Sequence, residues 1–176
     1  MLHDFRRINS LHHIHAYGET PLDKSQVEAV PEHAPGGTKP PIETRVYTLT
    51  MNPTTGGLGL TLVPPVGVPQ DNPLQMNVPN GGCSFAIKLD RTRLDWKFIA
   101  PYIEIGRQAS QASTPPRERY YALTTGEDQV MFSAVYNEDG PEGNTDPFNI
   151  SVQLMEGLSP IMLTIDPDIK NPGDNV

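Results

Sequence analysis

Proline and glycine interrupt this chain along its whole length. The 19 prolines and 15 glycines leave few stretches in which a helix can run unbroken. An interior proline removes a backbone donor and clashes with the preceding turn. Short strands joined by frequent turns fit that spacing, and the apolar residues between the breaks recur with a period of two. Tyr47, Leu49 and Met51 share one face of 45–51. Cys83, Phe85, Ile87 and Leu89 alternate with Ser84, Ala86 and Lys88. Val130, Phe132, Ala134 and Tyr136 lie on one side of 129–136, and Phe148, Ile150, Val152 and Leu154 alternate with Asn149, Ser151 and Gln153. This is the pattern of half-buried strands.

Weaker strand signals come from Leu60 and Leu62, from 95–105 with a break at Pro101, from 119–124, and from Ile161, Leu163 and Ile165. The expected fold is all-β: an antiparallel two-sheet sandwich, Ig-like, of about eight short strands. Pro64 to Pro79 reads as a long loop, because proline cannot donate to a ladder. Trp96 is expected to anchor the core and Cys83 to be buried and inert.

Residues 1–44 differ in character. Phe5, Ile8, Leu11 and Ile14 recur every third position, so 4–15 is expected to form a short amphipathic helix. Pro21, Pro31, Pro35, Pro40 and Pro41 then mark an extended linker. The expected organisation is an N-terminal arm and proline-rich linker over 1–44, a β-sandwich domain over 45–172, and a frayed tail over 173–176.

The net charge of −8 is uneven: −1 over 1–45, +2 over 46–122 and −9 over 123–176. Overall acidity argues against nucleic acid as a partner, since that needs a basic face. No apolar leader opens the chain and no run reaches the ~18 apolar residues of a membrane span. A single cysteine fits a reducing compartment. No membrane association and a cytoplasmic location are expected.

Three segments resemble parts of small uncharacterised Ig-like β-sandwich proteins of bacteria. They are Asp95-Trp96-Lys97-Phe98, Phe148-Asn149-Ile150-Ser151-Val152, and Ile165-Asp166-Pro167-Asp168-Ile169-Lys170-Asn171. The resemblance runs over residues 80–172. It implies a sandwich fold and brings no activity with it, because a shared sandwich says little about function.

Candidate sites are sparse. All five histidines, His3, His12, His13, His15 and His33, precede residue 34. His12, His13 and His15 are spaced to hold a transition metal in either a helix or a strand. The acidic stretch 137–146, with Glu138, Asp139 and Asp146, has the oxygen ligands Ca²⁺ needs but lacks the EF-hand spacing. Asp166 and Asp168 would share one face of a strand and suggest carboxylate acid–base chemistry only if other carboxylates faced them.

Arg91, Arg93, Lys97, Arg107, Arg117 and Arg119 are the basic concentration. Trp96, Tyr102, Tyr120 and Tyr121 lie near them in sequence. They suit either an anionic ligand or salt bridges to the acidic third of a neighbouring copy. Gly56-Gly57-Leu58-Gly59 lacks the Lys-Ser/Thr of a phosphate loop and reads as a hairpin turn.

A body without histidine and with one cysteine cannot supply a Ser/His/Asp triad or a Cys/His pair. The expectation drawn from this is a non-enzymatic structural or interaction module with no cofactor. It would form a homo-oligomer, or dock on a protein partner, through Phe5, Ile8 and Leu11 of the arm and through Arg91, Arg93, Arg117 and Arg119. The alternative is a ligand- or metal-binding sandwich using the acidic loop or the N-terminal histidines.

Overall fold

The computed structural model describes residues 13–14, 27–54, 57–106, 119–135, 144–156 and 159–171. Among these the chain is almost entirely β, in two sheets packed face to face. The strands, in chain order, are β1 (His13–Ile14), β2 (Val27–Ala29), β3 (Thr44–Thr54), β4 (Gly57–Val63), β5 (Gln75–Asn77) and β6 (Cys83–Leu89). They continue with β7 (Trp96–Gly106), β8 (Tyr120–Thr125), β9 (Gln129–Ala134), β10 (Asn144–Glu156), β11 (Ser159–Ile165) and β12 (Asp168–Asn171).

The smaller sheet has the order β4-β3-β6-β9-β8. The larger is organised on β10, which pairs with β7, β11 and β12. Strand β2 joins the far edge of β7, β1 joins β11, and β5 joins β12. Most pairs are antiparallel, as the alternation implies. The β3–β6, β1–β11 and β5–β12 pairs are parallel. Hence β4 and β5 lie between β3 and β6 in the chain, and the return to β3's other edge needs a long connection.

Two features of the larger sheet come from proline. Ile150 of β10 faces Ile165 of β11, and Pro147 faces Asp168 of β12. Those pairs keep one antiparallel register. Thus β11 and β12 are a single strand interrupted only at Asp166-Pro167. Pro167 donates nothing, but its carbonyl accepts from the Phe148 amide at 2.9 Å. Sequence reading stops this strand at Ile165; the ladder continues to Asn171. The second feature is in β7. Between Ile103 and Phe98 it passes five positions while β10 passes two, from Ile150 to Val152. The excess holds the cis Ala100–Pro101 bond and Tyr102, a non-glycine residue at φ 63°. Pro101 lies in this irregularity, and pairing resumes at Phe98 opposite Val152 with the register shifted by three residues.

Three tight turns share a sequence pattern. Pro35-Gly36-Gly37-Thr38, Pro65-Val66-Gly67-Val68 and Pro79-Asn80-Gly81-Gly82 each close with the fourth amide donating to the proline carbonyl, at 3.2, 3.1 and 2.9 Å. The third residue is a glycine at φ 83°, 84° and 93°. A backbone of this kind is a type II turn, which puts its third residue where an L side chain is strained. At Gly81 a Cβ would also stand 2.9 Å from Ile42 Cδ1.

The core fills the space between the sheets. Tyr47, Phe85, Phe132 and Tyr120 come from the smaller sheet, and Trp96, Phe98 and Phe148 from the larger; all are buried. Phe132 is the hinge of this packing. Its ring lies 5.5 Å from that of Phe85, 6.3 Å from Tyr120 and 6.4 Å from Phe148 on the opposite sheet, each tilted or edge-on, as ring quadrupoles prefer. Trp96 anchors the core as its sequence position implies, and its indole N–H donates to the Asp90 carbonyl at 2.8 Å. Burying Trp, Leu, Ile and Phe side chains at these alternating positions is the main stabilisation of the fold, roughly 1.5–3 kcal/mol for each side chain fully removed from water.

Cys83 is fully buried at the start of β6. Burial pushes its thiol up to about 12, so almost none is thiolate at neutral pH. Ellman's reagent at pH 8 is therefore expected to give no rapid colour with the folded protein and one thiol per chain in denaturant. Rapid native labelling would contradict this burial. No helix among the described residues is long and apolar enough to cross a membrane.

Candidate functional site

A cleft opens where the segment before β3 crosses the end of the smaller sheet. Three bonds fix that segment. The Tyr121 hydroxyl donates to the Lys39 carbonyl at 3.2 Å, the Leu123 amide donates to the Pro31 carbonyl at 3.1 Å, and the Ser84 amide donates to the Glu43 carbonyl at 2.8 Å. Residues 31–43, read from sequence as part of a linker, are in this way laid along the body. Strand β8 is shaped to receive them. From Tyr121 to Thr124 it passes three positions while β9 passes two, and Ala122 takes a left-handed φ of 58°. One residue bulges out of the ladder, and bulges of this kind re-aim neighbouring groups at sheet edges.

The cleft holds about 500 Å³, within the size range of small-molecule sites. One wall is the Pro35–Thr38 turn with Lys39, the second is Asn80 and Gly81 of the Pro79–Gly82 turn, and the third is Tyr121 with Ala134 and Val135. Lys39 is the one charged residue among those lining it, and its side chain is exposed. Thr38 is committed locally, its hydroxyl donating to the Pro35 carbonyl at 2.7 Å. Burial raises the Tyr121 phenol above its ordinary value, so it stays a neutral hydrogen-bond donor.

Beside this wall lies a buried ion pair. Arg119 Nη2 donates to Asp146 Oδ1 at 2.8 Å, and the Tyr120 hydroxyl donates to Asp146 Oδ2 at 2.6 Å. Both ionic side chains are almost fully buried, at 3% and 2% exposure. Among the described residues, Arg119 Nε and Nη1 have no hydrogen-bond partner. Burial raises the Asp146 carboxyl above its usual value despite the opposing pull of Arg119 and the Tyr120 hydroxyl. Burial, with Asp146 nearby, holds the Tyr120 phenol well above its own.

The residues singled out from sequence fall in several places. Asp146, a candidate Ca²⁺ ligand of an acidic loop, is in β10 and engages Arg119 and Tyr120 through its two oxygens. Glu138 and Asp139 lie outside the described residues, as do His12 and His15. His13 is in β1, opposite Thr164. Among the described residues, no group of three or more His, Cys, Asp or Glu side chains is placed to hold a metal ion. Phe5, Ile8, Leu11, Arg107, Arg117 and the helix expected over 4–15 also fall outside the described residues, β1 aside.

The described members of the basic concentration, Arg91, Arg93, Lys97 and Arg119, do not converge on one site. Arg91 pairs with Asp95 at 2.9 Å and with Asp128, and Lys97 pairs with Glu127 at 2.9 Å. Arg93 reaches Asn52 Oδ1 at 3.4 Å. The bonds to Asp128 and Glu127 tie the β6–β7 connection and the start of β7 to the β8–β9 turn, and the bond to Asn52 ties that connection to β3. Arg119 is the exception. It is buried where the others are exposed, and the acidic third supplies a partner to Arg91, Lys97 and Arg119 alike, from within the same chain.

Sequence reading missed Lys39, Asn80, Gly81 and Tyr121 as one set. The signal was present in the two Pro-x-Gly turns, but nothing in the sequence says that they face each other.

The family model for a "predicted novel nucleotide synthetase" matches residues 118–174, about a third of the chain. None of the curated proteins matches the chain. The family match corrects the expectation of a non-enzymatic module, which rested on the lack of histidine in the folded body. That argument holds for acyl transfer, where the protein must move protons and supply a nucleophile. It does not hold for phosphoryl chemistry, where positioning and charge stabilisation carry most of the catalysis and the protein contributes little covalent chemistry. A sandwich with no histidine among the described residues lining its cleft is compatible with an enzyme of that class.

Proposed function

We propose that this protein is an enzyme acting on a nucleotide, bound in the cleft between the 31–43 segment and the end of β8 and β9. One observation carries the reading: the segment matched by the nucleotide synthetase family supplies a wall of the cleft, through Tyr121, Ala134 and Val135. Its volume suits a mononucleotide. The other walls bring what a phosphate needs, a lysine ammonium and glycine backbone that an anion can approach closely.

In this reading Lys39 balances phosphate charge as it develops during transfer, and the three bonds that hold 31–43 keep it in place. The Arg119–Asp146–Tyr120 cluster supports the β8 wall from beneath. A cytoplasmic setting belongs to the same proposal, because it supplies nucleotides and keeps Cys83 reduced.

The test is to incubate the full chain with nucleoside triphosphates and Mg²⁺ and follow the phosphorus spectrum, with calorimetric titration of the same nucleotides in parallel. Binding heat and new phosphate or pyrophosphate signals that grow with protein concentration are expected. An unchanged spectrum together with no binding heat for any nucleotide would overturn the reading.

A further inference from the structure

The walls of the cleft are unequal in what they can recognise. Lys39 projects from an exposed position. Among the described residues it is the one charged liner in a chain of net charge −8, and no described carboxylate lines the cleft beside it. Two glycine-bearing turns face the same space. At Gly36 a Cβ would meet nothing within 4 Å, so that stretch of backbone is open to an approaching group. All of this favours an anion.

Groups that read a nucleobase are scarce. Recognition of a base relies on aromatic stacking or on paired donors and acceptors at its edge. Among the described residues the single aromatic liner, Tyr121, is only 4% exposed, and its hydroxyl donates to the Lys39 carbonyl. The Thr38 hydroxyl donates to the Pro35 carbonyl, so it can meet a base only as an acceptor. Asn80 is left as the one side-chain amide able to meet a base edge. Ala134 is buried and apolar, and Val135 offers only a partly exposed apolar surface.

We infer that this cleft reads the phosphate chain of its ligand through Lys39 and the two glycine turns and is nearly indifferent to the base. The inference rests on the nucleotide reading above and deepens it. A site built in this way accepts nucleoside triphosphates as a class, leaving base selection to the reaction's other partner or to none.

The experiment titrates the full chain with ATP, GTP, CTP and UTP, with adenosine, and with inorganic tripolyphosphate. Each titration is repeated on Lys39→Gln. The Lys39 side chain is exposed and its carbonyl bond to Tyr121 is backbone, so the variant is expected to melt with the wild type. The four triphosphates are expected to bind within about threefold of one another. Adenosine is expected not to bind, and tripolyphosphate to compete with ATP. Lys39→Gln is expected to lose roughly tenfold or more in triphosphate affinity, the scale of a lost charged hydrogen bond.

Adenosine binding as well as ATP, or one base preferred by more than about thirtyfold with Lys39→Gln unaffected, would overturn the inference while leaving the nucleotide reading in place; each exceeds what an unread base allows. Tripolyphosphate binding that needs Lys39, with no nucleotide bound, would overturn the nucleotide reading and leave an anion site.

Discussion

Arg119→Met is expected to destabilise the protein at pH 7 by about 3–5 kcal/mol, the cost of leaving one buried charge without its partner. Asp146 would then be a carboxylate in the core with only the Tyr120 hydroxyl against it. The pH dependence gives a sharper test. The Asp146 carboxyl is already raised by burial in the presence of Arg119, and removing the guanidinium, which opposes that rise, raises it further.

A carboxyl raised in the fold favours folding below its unfolded value, and that contribution is lost as pH rises through the folded value. Arg119→Met should therefore regain stability as pH is lowered from 7 toward 5, with wild type measured alongside as the reference. The double variant Arg119→Met/Asp146→Leu removes both charges and should cost much less than the sum of the single changes. Chemical denaturation across that pH range checks all three. Additive losses with no recovery in acid would mean that the two side chains do not act as a buried pair.

Phe132→Ala is expected to be as damaging, about 3–5 kcal/mol, for a different reason. The ring touches Phe85 and Tyr120 on its own sheet and Phe148 on the other, so its loss opens a cavity at the contact between the layers. The melting temperature should fall on the order of 10 °C, with the far-UV spectrum retained at low temperature. A fall of only a degree or two would place the centre of the core elsewhere.

The fold is legible in the sequence wherever a strand buries one face. The alternation in 83–89 and 148–154 marks strands because the apolar side chains recur every second residue on the core face, although Ala86, Asn149 and Ser151 on the other face are buried as well. The short strands β2, β5 and β12 are not legible in this way. At three or four residues each, they are too brief to show a period, and β5 lies in a proline-rich run. The continuation from β11 to β12 is hidden by Pro167, whose ring suggests an end although its carbonyl keeps the ladder going.

The site was less legible still. Lys39 stands between Pro35 and Pro41 in a stretch that reads as a linker. Tertiary bonds from Tyr121, Leu123 and Ser84 place its segment on the body. Arg119 and Asp146 were each noticed, but as surface charges. Burial is set by the strands around them, and their separation in the chain hides the pairing. The non-enzymatic expectation, which the family match over 118–174 corrects, rested on the lack of histidine after residue 33, which limits proton transfer and nucleophilic catalysis far more than phosphoryl chemistry.

The central claim is that the cleft at Lys39 is where a nucleotide binds. Amide hydrogen exchange of the full chain, with and without saturating ATP, tests it most directly. Slower exchange is expected at Gly36 to Lys39, at Asn80 and Gly81, and at the Tyr121 end of β8, with little change in β11 and β12. ATP binding that protects other segments and leaves these amides unchanged would contradict the account.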